Sequence, residues 1–307
     1  MSESTFAYRT KLSAIRKSNS VACKPRFGSA LRAGATMIRQ TGCGALCAAV
    51  LALAAHAQTP GSVYLEELTW TELRAAIDGG KTTVIIPIGG TEQSGPAIVL
   101  GKHNERVRVL AGRIAQALGN AIVAPVIAYA PEGGIDPPSS HMRFAGTISI
   151  PDDVFQRTVE YAARSLRVHG FRDIVLLGDH GGYQRDFKPV ADRLNRAWGA
   201  SHTRVHVVSE YYRASEDGFA ALLRERGFRD DEIGTHAALA DTSLMLAIDP
   251  GAVRTELLKP GVALGPAQGV YGGDPRRASA ALGQLGVDEI VSKTVTAIRA
   301  SVAARNH

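Results

Sequence analysis

Four segments of the sequence combine carboxylates, histidines and glycines in patterns that suit metal binding or proton transfer. In the first, Glu92 and His103 stand eleven residues apart, on either side of a loop that Gly95 and Gly101 allow to fold back. A carboxylate and an imidazole that converge in this way are typical ligands of Zn, Fe or Mn. The alternative interpretation makes Glu92 a helix-capping or surface acid and places His103 beside a helix N-terminus.

The second and third segments each pair a histidine with an aspartate. Residues 178–182 carry Asp179 and His180 on a glycine turn that follows an apolar run, where the backbone can approach a ligand closely. The plain alternative is a strand–turn–helix connection with a solvated Asp-His pair. In the third segment, Asp241 either caps the following helix or binds metal while His236 shuttles protons.

The fourth segment is a loop over residues 131–145 that is rich in Pro, Gly and Ser. It carries His141 close to Arg143. We expect these two side chains to contact a substrate, because binding residues are concentrated on loops that a rigid scaffold positions.

Strands and helices alternate around the four segments. Apolar runs at residues 83–88 and 173–177 predict buried strands, and the first two segments follow directly after them. The alternation indicates an α/β fold with a largely parallel sheet, in which ligands bind beyond the carboxyl ends of the strands. Further strands are predicted at Ala121–Ala128, Thr147–Ile150 and Arg204–Ser209, and helices at Glu105–Leu118, 151–170, Arg185–Trp198, Glu216–Arg226, Thr242–Ile248 and Asp288–Ala303.

The first 57 residues differ in composition from the rest. They hold eight Lys and Arg and one acid, whereas residues 58–307 hold 27 basic and 28 acidic groups. The part predicted to fold therefore has no basic excess, and we expect no nucleic-acid partner. All three cysteines lie in the N-terminal part, so no disulfide or thiolate site is predicted beyond it.

Residues 1–57 are predicted to be a signal-peptide region. A basic residue precedes a short apolar run of small residues and Leu, and the run ends in an A-x-A pattern at 55–57. We expect translation from Met37, cleavage after Ala57 and a periplasmic or secreted product with no stable membrane anchor. The alternative is an uncleaved N-terminal anchor. Residues 58–307 are predicted to form one α/β domain.

Taken in order, these segments resemble the creatininase (creatinine amidohydrolase) family. That family has Glu-Gln-His-Gly-Pro-His, Thr-Asp, Phe-Pro-Gly-Thr, Asn-Gly-His-Gly-Gly-Asn, His-Ala-Gly-x-x-Glu-Thr-Ser and Gly-Asp-Pro segments. The resemblance spans about residues 62–300 and implies a three-layer α/β/α fold, metal-dependent amide hydrolysis and a homo-oligomer, often a hexamer. The counterparts here are Glu92–Ala97, Lys102-His103, Phe144–Thr147, Gly178–Tyr183, His236–Ser243 and Gly273–Pro275.

The resemblance also implies a set of metal ligands. Ser94 takes the position of a metal-binding His, and His103 that of a bridging Asp. Because a neutral imidazole offers a single lone pair, we expect one ion per chain, Zn in preference to Mn or Fe, with water at an open position. Position by position, the ligands become Glu92, His103, His180 and Asp241.

Roles in proton transfer and substrate binding follow in the same way. His236 falls on the family's proton-transfer histidine, and Asp179 is a spare carboxylate that can serve as base. The specificity of the pocket is expected to have changed, because Tyr183 stands where the family has Asn. The residues predicted to contact a small-molecule substrate are Ser94, His141, Arg143 and Tyr183.

The sequence therefore predicts an exported amidohydrolase that cleaves a non-peptide C–N bond, in an amide or cyclic amide, through a metal-activated water. Two alternatives stay open. Ser94 at a ligand position suits an inactive binding protein on the same fold. Hydrolysis of a lactone or ester is the other alternative, because a fold does not fix the chemistry.

Overall fold

The computed structural model describes residues 61–305. The predicted signal-peptide region, cleavage site and start residue lie outside this part of the chain. The described residues belong to the compact unit Gln58–His307. Within residues 61–305, no helix combines the length and apolar character that a membrane span needs.

A four-stranded parallel sheet with the order β2-β1-β3-β4 lies at the centre of the fold. The paired residues of β1 and β3 run in register from Thr83 with Asp173 to Ile88 with Gly178, so the two strands end side by side. Every residue of these two strands is buried, as expected for a parallel sheet covered on both faces. The strands are β1 Thr83–Ile88, β2 Ala121–Val123, β3 Asp173–Gly178 and β4 Arg204–Val207.

Helices and a small second sheet surround this centre. The helices are α1 Trp70–Asp78, α2 Lys102–Leu118, α3 Asp152–Val168, α4 Gln184–Trp198, α5 Glu210–Arg213, α6 Phe219–Arg224, α7 Asp230–Ile233, α8 Leu239–Ile248 and α9 Ala280–Arg305. A π-helical turn, Ala214–Gly218, connects α5 to α6. Strands β5 Gly234–His236 and β6 Tyr271–Gly273 form an antiparallel pair.

Alternate residues of each strand point to opposite faces of the sheet and fill two cores. Ile85 and Val175 pack in the core that includes residues of α2, α8 and α9. Ile86 and Ile174 pack in the core that includes residues of α1, α3 and α4. The predicted three-layer α/β/α fold with a parallel sheet is confirmed.

Three strands are shorter than the sequence predicts, and the smallest difference is at β4, which ends at Val207 instead of Ser209. The predicted strand Thr147–Ile150 forms isolated bridges only, because two of its residues pair with two different segments of chain. The predicted strand Ala121–Ala128 ends at Val123, and Pro125 just beyond it has no N–H to donate to a neighbour.

The helices also differ from prediction at their ends. Helix α2 begins at Lys102 and α8 begins at Leu239, each three residues earlier than predicted. Helix α1 was not predicted, although Thr69 and Glu72 form a capping box, which is a signal visible in the sequence. The first three residues of the predicted helix Glu216–Arg226 belong to the π-helical turn, and α6 then ends at Arg224.

Two isoleucines that differ in burial should differ in how much they contribute to the free energy of unfolding. Ile85 in β1 is fully buried, whereas Ile135 is 53% exposed. Ile85→Ala should lower the free energy of unfolding by about 2–5 kcal/mol, because it removes packed methyl groups and leaves a cavity. Urea denaturation of Ile85→Ala and of the control Ile135→Ala measures this, and similar losses in both variants would contradict the assigned core.

Candidate metal centre

The candidate centre lies where β1 and β3 end, the position expected for a site on a parallel sheet. The chain leaves β1 and reaches Glu92, and it leaves β3 and reaches Asp179 and His180. Helix α2 packs so closely against the end of β1 that a side chain at Gly89 would collide with Asn104. The two strands and α2 therefore fix the site from three directions.

Three basic side chains enter the site from the first turns of α2. Lys102, His103 and Arg106 are each no more than 3% exposed. Residues three and four positions apart lie on the same face of a helix, so all three can point toward the sheet edge. The start of α2 therefore contributes a cluster of buried cationic and imidazole groups.

Glu92 is the fully buried carboxylate at the centre of this cluster. Its Oε1 lies 2.6 Å from His103 Nε2 and 3.7 Å from Lys102 Nζ. Its Oε2 lies 3.4 Å from His141 Nε2 and 3.5 Å from His180 Nε2, but it has no hydrogen-bond partner among the described residues. A buried carboxylate oxygen without a partner is costly, so Oε2 marks a position suited to a cation.

The electrostatics of the site favour an ionised Glu92 and neutral rings at His180 and His236. Burial acts to raise the pKa of Glu92, but His103 and Lys102 hold it well below its usual range. Burial lowers the pKa of His180 to about 4 and that of His236 to about 3. Neutral imidazoles and an ionised carboxylate are the forms that bind metal ions.

Two groups of side chains in the described chain fit a divalent ion. Glu92, His103 and His180 form one group, and Glu92, His141 and His236 form the other. In each group the ligand atoms lie within 4.8 Å of one another. Three of the four predicted ligands therefore meet in the first group, and the unpartnered Oε2 of Glu92 is consistent with an ion there.

Asp241, the fourth predicted ligand, lies outside both groups. Its Oδ1 accepts a hydrogen bond from Arg106 Nη1 at 2.6 Å, and its Oδ2 accepts from Lys102 Nζ at 2.8 Å and from the Ala237 amide at 2.9 Å. Burial acts to raise the pKa of Asp241, but Lys102 and Arg106 keep it well below its usual range. Both oxygens are already paired with cations, and this arrangement does not favour the predicted role of Asp241 as a ligand.

Asp179 is similarly occupied. Its Oδ2 accepts from His103 Nδ1 at 2.7 Å and from Arg106 Nε at 2.8 Å, and its Oδ1 accepts from Tyr211 Oη at 2.6 Å. Burial opposes ionisation, but Arg106 and His103 lower the pKa of Asp179 overall. A carboxylate that accepts from one nitrogen of a histidine orients the ring, so these contacts favour a positioning role for Asp179 over the predicted role as a base.

His236 presents one ring nitrogen to the centre. Its Nε2 lies 3.0 Å from the carbonyl oxygen of Gln93, and because a carbonyl only accepts, this nitrogen carries the hydrogen. Nδ1 therefore keeps its lone pair and lies 3.6 Å from Glu92 Oε1. This tautomer suits either metal binding or acceptance of a proton at Nδ1.

The residues predicted to contact substrate separate into two kinds. His141 lines two clefts of about 670 and 390 Å³, which meet at Ser140, His141 and His180. Ser94 and Tyr183 are buried and line neither cleft, and Arg143 is exposed outside both. We therefore correct the assignment of these three residues.

Tyr183 has a structural role. Its hydroxyl accepts from the amides of Asp179 and His180 at 3.1 Å each and donates to the carbonyl of Ile88 at 2.9 Å. It therefore ties the end of β1 to the turn after β3, beneath the centre.

Two acidic residues of the site were missed by the sequence analysis. Burial and the neighbouring Glu92 raise the pKa of Glu132 to about 9, and both of its carboxyl oxygens lack hydrogen-bond partners among the described residues. A side chain at Gly90 would collide with Glu132, so this glycine provides the space. Burial and Asp241 raise the pKa of Glu216 to about 7, and Glu216 lies on the π-helical turn and lines the smaller cleft.

Comparisons with known proteins agree with this fold. The family model described as creatinine amidohydrolase (creatininase) matches residues 66–298. A creatinine amidohydrolase of Pseudomonas putida is 30% identical over 202 residues, which cover 62% of this chain and 74% of that protein. A mycofactocin precursor peptide peptidase of Mycobacterium ulcerans (strain Agy99) is 27% identical over 187 residues, which cover 58% of this chain and 63% of that one. A solved structure described as "Creatininase Mn" matches with a TM-score of 0.63 and 26% identity, covering 78% of this chain and 98% of that one.

The raised pKa of Glu132 predicts a pH-dependent stability for the protein kept free of metal with a chelator. The folded state holds this proton up to about pH 9, whereas the unfolded chain releases it near 4.5, the ordinary pKa of a glutamate. The folded state therefore binds more protons in between, and stability falls as pH rises, by at most about 1.4 kcal/mol per pH unit. Glu132→Gln, which mimics the protonated form, should gain stability relative to the parent between pH 5 and 9.

Melting temperatures across this pH range provide the measurement. The exposed Glu225→Gln is the matched control and should follow the parent. If the melting temperature of Glu132→Gln differs from that of the parent by the same amount at every pH, Glu132 is ionised in the folded protein.

Proposed function

This chain belongs to the creatininase family, and from that premise we propose that it is a metal-dependent hydrolase of amides or cyclic amides. The observation that carries the proposal is the buried Glu92, whose Oε2 has no hydrogen-bond partner and faces neutral imidazoles at the end of the sheet. The adjoining clefts offer a substrate access to the same position. The peptidase among the relatives is the reason to include peptide bonds in the test.

We propose Glu92, His103 and His180 as the residues that hold the ion. Zn suits a carboxylate with two imidazoles, and Mn and Fe are the alternatives. A divalent metal bound there would lower the pKa of a bound water toward about 7 and polarise the substrate carbonyl. Asp179 supports the ion indirectly, because it fixes His103 through Nδ1.

His236 is our candidate for proton transfer. Its neutral ring can accept a proton at Nδ1 and return it to the leaving nitrogen, which keeps the proton within the site. Gln93 helps to hold the imidazoles on this side, because its Nε2 donates to His141 Nδ1 at 2.9 Å and its main-chain carbonyl accepts from His236 Nε2 at 3.0 Å. His141 stands where the clefts meet and is the candidate for substrate contact.

Export and assembly are further parts of the proposal. The A-x-A pattern at 55–57 supports a periplasmic or secreted protein cleaved after Ala57. The homo-oligomer that the family resemblance implies is likewise part of the proposal. The mass of the protein recovered from a periplasmic fraction tests the cleavage, and light scattering tests the assembly.

Removal of one proposed ligand should abolish both metal binding and hydrolysis. His180→Ala should weaken metal binding more than about 100-fold, because even residues behind the ligands are worth about 10–100-fold. His169 is exposed, and His169→Ala is the matched control. Metal per chain by mass spectrometry and turnover on a panel of amides, lactams and short peptides provide the two measurements.

The outcomes separate the proposed function from its alternatives. Loss of both metal and activity in His180→Ala alone supports the hydrolase. Bound metal with no turnover on any substrate would favour the inactive binding protein. Faster turnover of lactones than of matched lactams would instead favour hydrolysis of esters.

A further inference from the structure

We infer that the ammonium of Lys102 and the guanidinium of Arg106 fill the place that a second metal ion would need, so that this centre takes a single ion. The inference goes beyond the proposed hydrolase, because it assigns these two residues as determinants of how many ions bind. It depends on the proposed function only for the position of the first ion.

The space between Glu92 and Asp241 is already occupied by a positive charge. Lys102 Nζ lies 2.8 Å from Asp241 Oδ2 and 3.7 Å from Glu92 Oε1, so a positive charge already stands between the two carboxylates. Arg106 Nη1 lies 2.6 Å from the other oxygen of Asp241. An ion that bridged Glu92 and Asp241 would have to displace the ammonium. The two ligand groups described above both depend on Glu92 as their only carboxylate, so we take them as alternative positions of one ion.

Burial keeps Lys102 and Arg106 in place. Both Lys102 and Arg106 are 1% exposed, so neither side chain can turn into solvent without opening the core. Arg106 is also fixed at its other end by Asp179, through Nε at 2.8 Å. Expulsion of either cation would leave a buried carboxylate unpaired, which is strongly unfavourable.

The charge already present around the two aspartates opposes a second ion. Lys102 lies between Glu92 and Asp241, and Arg106 contacts both Asp179 and Asp241, so each aspartate already has a cationic partner on α2. A second divalent ion beside them would add two positive charges next to two buried cations, which is strongly unfavourable.

The experiment loads the metal-free protein with Mn²⁺ and measures ions bound per chain, together with the electron paramagnetic resonance of the bound Mn²⁺. The parent should saturate at one ion per chain and give the six-line spectrum of an isolated ion. Lys102→Met keeps the length of the side chain but removes its charge, and it should take up a second ion in the same concentration range.

Two further variants sharpen the test. Lys102→Arg retains a charge and should stay at one ion. Lys188→Met removes an exposed lysine on α4 and should also stay at one ion. If Lys102→Met does not fold, the stoichiometry and spectrum of the parent still decide the matter.

Each contrary result has a distinct meaning. Two ions per chain in the parent, or the spectrum of a coupled pair, would overturn this inference and leave the hydrolase intact. A Lys102→Met variant that folds and still binds one ion would overturn the role of Lys102. A parent that binds no ion would overturn both the inference and the proposed function.

Discussion

Compensation of buried negative charge determines the arrangement of this site. Glu92, Asp179 and Asp241 lie together at the carboxyl end of the sheet, where unpaired charges are costly. Helix α2 supplies partners for the two aspartates, and Arg106 contacts both of them. Of these three carboxylates, only Glu92 keeps an oxygen without a hydrogen-bond partner among the described residues, so their remaining demand for positive charge is concentrated at Oε2.

The fold makes this compensation possible because it holds β1, β3 and α2 in fixed positions relative to one another. Strands β1 and β3 end side by side, and their burial on both faces leaves little freedom to shift. The Tyr183 hydroxyl joins the two strand ends, and Gly89 allows α2 to approach β1 closely. The first turns of α2 therefore point into the site at a fixed distance from Glu92.

The three layers and the grouping of His180 with Glu92 and His103 followed from the family resemblance, whereas local patterns were sufficient to predict the parallel sheet and the polar residues at its strand ends. These last two features depend on apolar periodicity and on residues that follow directly after strands. The pairing of Asp241 with Lys102 was not predictable, because the two residues lie far apart in the chain and either could equally face solvent. Glu132 was missed for a similar reason, since it lies in an irregular loop with no motif around it.

The central claim is that one ion binds at Glu92 while Asp241 stays paired with chain-borne cations. A crystal structure of the metal-loaded protein, with anomalous differences collected at the absorption edge of the metal, tests it most directly. We predict one anomalous peak, within about 2.0–2.2 Å of Glu92 and of the histidine nitrogens that bind it. A peak coordinated by Asp241, with Lys102 displaced, or the absence of any peak at Glu92 would contradict the account.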